Sequence, residues 1–203
     1  MSATLFAAPE ALNGHKMTPE AYLSREREGI REFEGKYELF NQTLLFMAGA
    51  SEAHNDIAGN IFAMFKMYIW QNEHPYRVFQ SDMRVVSFLD YKDYFYPDVV
   101  FVAGKTRYDD DQKDVLINPT VIFEVLSDST KNFDRTDKFE SYKQIESLQE
   151  YILVSQYERY VEHRYRNSDG EWIKGKVYKN GVLPLLSIPY SLPLKQIYDG
   201  MPF

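Results

Sequence analysis

The chain of 203 residues reads as one mixed α/β domain: a central mixed β-sheet flanked by helices, with an N-terminal helix and hairpin and a C-terminal antiparallel hairpin. Three observations lead there. Ile57, Ile61, Met64, Phe65 and Tyr68 recur at helical spacing within residues 52–71. The run Val121-Ile122-Phe123-Glu124-Val125-Leu126 is apolar on both faces but for one acid, so its strand needs cover on both sides. Helical and strand-like segments also alternate along the chain, as they do where helices pack on a sheet.

In chain order, residues 1–17 read as a loosely ordered lead-in. Thr18 is placed to cap a helix that has Pro19 at its first position and runs through Tyr22 into the charged stretch 25–28. Tyr37-Glu38-Leu39-Phe40 and Leu44-Leu45-Phe46-Met47 flank Asn41-Gln42-Thr43, a hairpin pattern with no glycine in its turn. The long helix at 52–71 follows. Strand-like runs come next at 76–79, 83–88, 98–102 and 120–126, with a polar loop over 104–118 that carries Asp109, Asp110 and Asp111. A second helix is predicted over 134–147 and a strand over 151–155. Residues 160–166 and 172–178, joined by a turn at 167–170, alternate as a solvent-facing hairpin.

Composition narrows the function. A chain this long buries roughly 70% of its unfolded surface and needs no covalent staples. With Cys 0, thiol catalysis, redox dithiols and thiolate metal sites are excluded. No apolar stretch is long enough to cross a membrane, and the N-terminus lacks the pattern of a signal peptide, so a cytoplasmic protein with no membrane partner is expected. No repeat, low-complexity run or flexible linker divides the chain, which leaves one domain over 1–203. The net charge of −7 argues against binding nucleic acid through bulk electrostatics. It leaves room for a local basic cleft, for which Arg77, Arg84, Lys131, Arg135 and Lys143 are candidates.

Glu124 stands out physically, because an unpaired carboxylate among Val121, Ile122, Phe123, Val125 and Leu126 would cost several kcal/mol. It must be protonated, paired or bound to a cation, and an ordinary ion pair accounts for it equally well. Asp98 opens the next apolar strand after Pro97. Alone it reads as a turn residue, but two buried carboxylates on adjacent strands repel unless a divalent cation lies between them, and hard oxygen ligands suit magnesium or manganese. At 100° per residue, Asp134, Lys138, Tyr142 and Ile145 share one face of the second helix. Lys138 on that face either snorkels to the rim or meets something negative. Asp82 is a candidate third oxygen donor and Arg84 a phosphate contact. Glu38, between Tyr37 and Leu39, reads as a solvent-facing strand residue, and His54 as a surface or cap residue. The four histidines have no metal-ligand spacing, and no P-loop, GxGxxG or GxSxG is present.

Taken together, Tyr96-Pro97-Asp98-Val99-Val100-Phe101-Val102, Phe123-Glu124-Val125-Leu126-Ser127-Asp128-Ser129-Thr130, the residues Asp134, Lys138 and Tyr142, and Glu150-Tyr151-Ile152-Leu153-Val154 resemble the Uma-two-type (Uma2) family. That is a bacterial endonuclease family of the PD-(D/E)XK superfamily, with a restriction-endonuclease-like fold. Met47-Ala48-Gly49-Ala50-Ser51, His54-Asn55 and Ser81-Asp82-Met83-Arg84-Val85 add to the likeness, which spans about residues 18–198. The resemblance implies that Asp98 and Glu124 are metal ligands for Mg (or Mn) and that Lys138 assists the attacking water. Asp134 and Tyr142 would position Lys138. Leu126 stands where the superfamily has its lysine, and the family pattern moves that lysine to the following helix. Asn41-Gln42-Thr43 replaces the family's Asp-Gly turn.

The resemblance therefore implies a Mg-dependent endonuclease that hydrolyses phosphodiester bonds in DNA; a homodimer is expected besides, because two strands are cut most easily with two sites. Two alternatives stand beside it. One is a catalytically silent module of the same fold that binds DNA or regulates. The other is an oligomeric interaction protein with an interface of C-terminal aromatics: Tyr157, Tyr160, Tyr165, Trp172 and Tyr178.

Overall fold

The computed structural model describes residues 12–28 and 35–203. Most of the expected lead-in, residues 1–11, lies outside the described residues. From Leu12 onward the segment is tied down: the Gly14 and Met17 amides donate to the carbonyls of Leu44 and Gln42 at 2.8 Å, and the Leu44 amide donates back to His15. The helix α1 (Pro19–Glu28) starts at Thr18, whose hydroxyl accepts from the Ala21 amide at 3.3 Å. Next come β1 (Lys36–Phe40) and β2 (Thr43–Met47), in register from Lys36 opposite Met47 to Phe40 opposite Thr43. Their two-residue turn needs positive φ at both positions. Asn41 and Gln42 supply it at 48° and 58° without any glycine.

The helix α2 (Glu52–Gln71) matches the sequence expectation at both ends, with Ser51 accepting from the His54 amide at 3.1 Å. After it follow β3 (Arg77–Gln80), β4 (Arg84–Phe88), β5 (Lys92–Phe95), β6 (Val99–Val102), β7 (Val115–Leu116) and β8 (Val121–Leu126). The predicted helix over 134–147 is instead two short ones, α3 (Lys131–Arg135) and α4 (Asp137–Tyr142). The chain breaks at Thr136, where φ is −119° and ψ −97°. Its β-branched side chain bonds back to the Asn132 carbonyl at 2.7 Å, a contact that bends helices. The remaining elements are β9 (Glu150–Ser155), β10 (Val161–Arg166), β11 (Trp172–Tyr178), β12 (Val182–Pro184), β13 (Ser191–Pro193) and α5 (Leu194–Ile197).

The expected central sheet is two sheets. One is five-stranded, in the order β2-β1-β5-β4-β7, and the other six-stranded, in the order β11-β10-β9-β8-β6-β3; a small ladder pairs β12 with β13. Both large sheets are mixed, with β8–β9 and β4–β7 as the parallel pairs. Alternation along the strands then sorts the core. Val121, Phe123 and Val125 of β8 face α2, together with Val99 and Phe101 of β6. Ile122 and Leu126, with Val100 and Val102, face the opposite way, toward Phe95 of the other sheet and Phe139 and Tyr142 of α4. The outer face of the five-stranded sheet packs Tyr37, Leu39 and Tyr94 against Tyr22 of α1.

Two expectations about exposure are corrected. The hairpin β10–β11 is solvent-facing only along β11, because β10 lies between β9 and β11. Each buried polar side chain of β10 is partnered: Glu162 with Arg135, His163 with Glu150 at 2.7 Å, and Arg164 over the Phe139 ring at 4.4 Å. Nor is the 104–118 loop merely solvated. Asp109 pairs with Lys92, and Asp110 and Asp114 both pair with Arg27, stitching it to β5 and α1. Among the described residues no helix is long and apolar enough to cross a membrane.

Candidate active site

Glu124 lies in the middle of β8. Period-two alternation turns it away from α2 and into the space between the two sheets, where it is 3% exposed. Three further elements bring groups to that place. Asp98 immediately precedes β6; its carboxylate accepts from the Val125 amide at 2.6 Å, and its own amide lies 3.4 Å from Glu124 Oε2. The helix α4 presents Lys138, whose ammonium is 3.0 Å from Glu124 Oε1 and 2.9 Å from Glu38 Oε1. On β1, Glu38 points inward with Phe40 and also accepts from the Tyr96 amide at 2.9 Å. Asp134, at the end of α3, stands 3.8 Å from the same ammonium. The break at Thr136 places Asp134 and Lys138 on different helices, so their shared location comes from tertiary packing rather than from one helical face. The Tyr142 hydroxyl donates to Glu124 Oε1 at 3.3 Å, and Tyr151 donates to the Asp134 carbonyl at 2.9 Å.

Glu38 is the correction with the largest chemical consequence. It is buried and holds Lys138, whereas its alternation with Tyr37 and Leu39 suggested a solvent face. The signal was present: an acid flanked by apolar residues in a strand, the same pattern that marked Glu124. His54 is the second. Its Nε2 lies 3.2 Å from Asp98 Oδ2 because the first turn of α2 abuts the start of β6, while its Nδ1 is buried with no partner among the described residues. In the sequence His54 stood out only through the His54-Asn55 pair that adds to the family likeness. Asp82 goes the other way. Its side chain is 91% exposed and pairs with Lys36 at 2.9 Å, so the turn at Ser81 carries it away from Asp98 and Glu124.

The electrostatics follow from one ammonium facing three carboxylates in a dry place. Burial raises Glu124 well above the usual carboxylate range; Lys138 opposes this, while Asp98, Asp134 and Glu38 add to it. Asp134 is pushed up to about 6, again chiefly by burial. Burial alone would lower Lys138, but Glu124, Glu38 and Asp134 outweigh it and hold the ammonium protonated. For His54, burial likewise works downward and is outweighed by its hydrogen bond to Asp98, which leaves the imidazole raised. Tyr142 is raised by burial and by Glu124, so it stays a donor.

This surplus of negative charge fits a divalent cation. Among the described residues no group of three or more His, Asp or Glu side chains is arranged to hold a metal ion. Magnesium does not need such a group, since it keeps several waters and binds through one or two carboxylates. Asp98 and Glu124 are neighbours: Asp98 Oδ1 lies outside the contacts with Val125 and His54, and Glu124 Oε2, clear of Lys138 and Tyr142, accepts a long bond from the Asp98 amide at 3.4 Å.

A family model described as "Putative restriction endonuclease", Uma2, matches residues 19–194. The chain belongs to the Uma2 family. Two uncharacterized Synechocystis proteins are similar to it along most of their lengths. One, sll1609, is 34% identical over 77% of this chain and 85% of its own; the other, slr1290, is 30% identical over 93% and 94%. A crystal structure from Anabaena variabilis, of a protein described as a putative nuclease belonging to DUF820, superposes with a TM-score of 0.69. At 16% identity it covers 90% of this chain and 97% of that one, and it establishes the restriction-endonuclease-like fold for this Uma2 member.

The basic cleft expected for such a fold does not assemble from the residues named for it. Arg84 is buried against Tyr96 and Asp114, Arg135 pairs with Glu162, Lys143 with Glu140 and Lys131 with Asp128. Of the five, Arg77 alone has no carboxylate partner among the described residues. The C-terminal aromatics are partly committed within the chain. Trp172 packs edge-on against Phe139 and Tyr178 against the α2-side core, while Tyr157 stays exposed.

Proposed function

We propose that this Uma2 protein is a divalent-metal-dependent endonuclease that hydrolyses phosphodiester bonds in DNA, working as one domain. Asp98 and Glu124 would hold Mg (or Mn). That ion, when bound, supplies neutralisation of phosphate charge and a bound water of lowered pKa. The observation that carries the reading is the Lys138 ammonium, 3.0 Å from Glu124 Oε1 and 2.9 Å from Glu38 Oε1, in a place water does not screen.

The chain's own groups divide the remaining work. Lys138 offers a fixed positive charge where negative charge develops on the phosphate oxygens, and in doing so orients the attacking water. Glu38 and Asp134 hold the ammonium in position and keep it charged. Tyr142 and Lys138 engage Glu124 Oε1, so Oε2, which accepts only the long 3.4 Å bond from the Asp98 amide, is the oxygen that would meet the cation. His54 and the Val125 amide grip Asp98 Oδ2 in the same way, leaving Oδ1.

Titration calorimetry with Mn²⁺ on the wild type and Glu124→Gln, followed by plasmid nicking in the same buffer, tests the reading. Metal binding and nicking that are both lost in the variant support it. Wild-type metal binding without nicking of any DNA would favour the silent module on the same fold. Absence of Mn²⁺ binding would reduce Glu124 to a structural ion-pair residue.

A further inference from the structure

A groove of about 400 Å³ lies at the far end of α2 from the carboxylate cluster, lined by Lys66, Ile69, Trp70, Glu73, His74, Tyr76 and Arg77. Trp70 is 67% exposed, an unusual position for the largest apolar side chain, and the Lys66 ammonium lies 5.1 Å from its ring. The neighbouring wall is a row of rings in contact, two pairs stacked and one tilted. His74 lies on Tyr76 at 4.4 Å, Tyr68 meets His74 at 5.1 Å, and Tyr68 stacks on Tyr190 at 4.3 Å. Lys66 and Arg77 have no ion-pair partner among the described residues, whereas Arg84, Lys131, Arg135 and Lys143 each have one.

Two elements fix the groove's distance from the cluster. From His54 to Trp70 is sixteen residues of helix, about 24 Å. Independently, β3 runs antiparallel to β6 with Arg77 opposite Val102, at the end of β6 remote from Asp98. At the 3.4 Å stacked rise of a single strand, 24 Å corresponds to about seven nucleotides. A group bound here touches the flank of a substrate and not its scissile phosphate.

We infer that this groove binds a single-stranded stretch of nucleic acid, its bases stacking on Trp70 and on the His74–Tyr76 pair and its phosphates meeting Lys66 and Arg77. The inference rests on the nuclease reading for the identity of the substrate, and it needs neither metal nor cleavage. The exposed Trp70 ring and the half-buried His74 and Tyr76, interleaved with cations that have no carboxylate partner among the described residues, complement a polyanion whose every unit carries a π-face. An apolar partner would instead bury Lys66 and Arg77 without counter-charge.

The experiment is fluorescence anisotropy of a labelled oligothymidylate of about 12 nucleotides, a length within the usual site sizes, titrated with full-length protein in EDTA. Binding is expected to be saturable and to quench tryptophan emission; Trp172, packed on Phe139, is insulated from that change. Trp70→Ala should weaken binding roughly 5- to 150-fold, and Trp70→Phe should retain most of it. Replacing Lys66 and Arg77 with glutamine should weaken binding and reduce the salt slope by about 1.4. Equal binding by wild type and Trp70→Ala, or no binding at all, overturns the inference. A doubled mass by light scattering that Trp70→Ala abolishes, with the oligonucleotide having no effect, overturns it in favour of a second copy of the chain. Glu124→Gln separates the two readings: oligonucleotide binding that persists where even the wild type does not nick sinks the nuclease alone. Nicking by a wild type whose binding ignores Trp70 sinks the groove alone.

Discussion

Replacing Lys138 with methionine removes the one ammonium that three buried carboxylates share and keeps a side chain of similar length. At an effective dielectric constant near 20, the contacts of 2.9 and 3.0 Å to Glu38 and Glu124 are each worth about 5–6 kcal/mol in gross attraction. Desolvation of the ammonium, 4% exposed in the fold, offsets a large part of this. What remains is the cost of leaving buried charge uncompensated, about 3–5 kcal/mol. For a chain of this size that is a fall in Tm of roughly 6–20 °C. The loss must also depend on pH. Glu124 and Asp134 are both raised by burial, so at pH 5 they take up protons and stop repelling Glu38. Urea unfolding followed by circular dichroism at pH 8 and pH 5 measures both features, with a larger loss expected at pH 8. Adding Glu38→Gln to the variant should recover part of it. A loss below about 1 kcal/mol at pH 8, or an equal loss at both pH values, would refute the charge-balance reasoning.

Three further outcomes follow from the same structure. Gln42 has φ at 58°, a region where an L-residue is strained, so Gln42→Gly should stabilise by about 0.5–1 kcal/mol; an unchanged urea midpoint would count against it. Asp134 holds its proton up to about 6 in the fold, above its ordinary 3.8, so the folded state is the better proton binder and stability falls as pH rises from about 4 to 6. Asp134→Asn should remove that fall from the Tm–pH curve, and a curve of unchanged shape would assign it to another group. Glu150 is fully buried and accepts from the Leu186 and Ser187 amides at 3.0 and 2.8 Å, from the Ser187 hydroxyl and from His163. Burial alone would raise its pKa, but His163 and Ser187 bring it below the usual glutamate value. Its contribution is present above the ordinary 4.5 and disappears as pH falls through the lowered value. Glu150→Ala should cost about 3–5 kcal/mol at pH 7 and free the segment after β12; a thermal melt within a degree or two of wild type would show that the segment does not depend on it.

Local pattern carried a good deal of this molecule. The helix at 52–71 was legible to the residue, because its apolar period is long and Ser51 caps it. Glu124 was legible because an acid among five apolar strand neighbours has few physical excuses. The split of the second helix was not, since the event at Thr136 is a single side-chain contact to Asn132. Nor were β5 and β7: Lys92–Phe95 has no clear alternation, and β7 is two residues that pair only because β4 lies alongside them. The strand β10 was misjudged because alternating charge reads as a solvent face unless Arg135, Glu150 and Phe139 are known to wait beside it.

Composition and short-range spacing thus determined the α/β class and the need of Glu124 for a partner, since burial cost and periodicity are properties of neighbouring residues. The partition into two sheets, the inward turn of Glu38, the approach of His54 to Asp98 and the exclusion of Asp82 were settled by packing. Each depends on which elements lie side by side. Lys138 and Glu38 are a hundred residues apart and meet at 2.9 Å only because β1 and α4 close over the same face of β8.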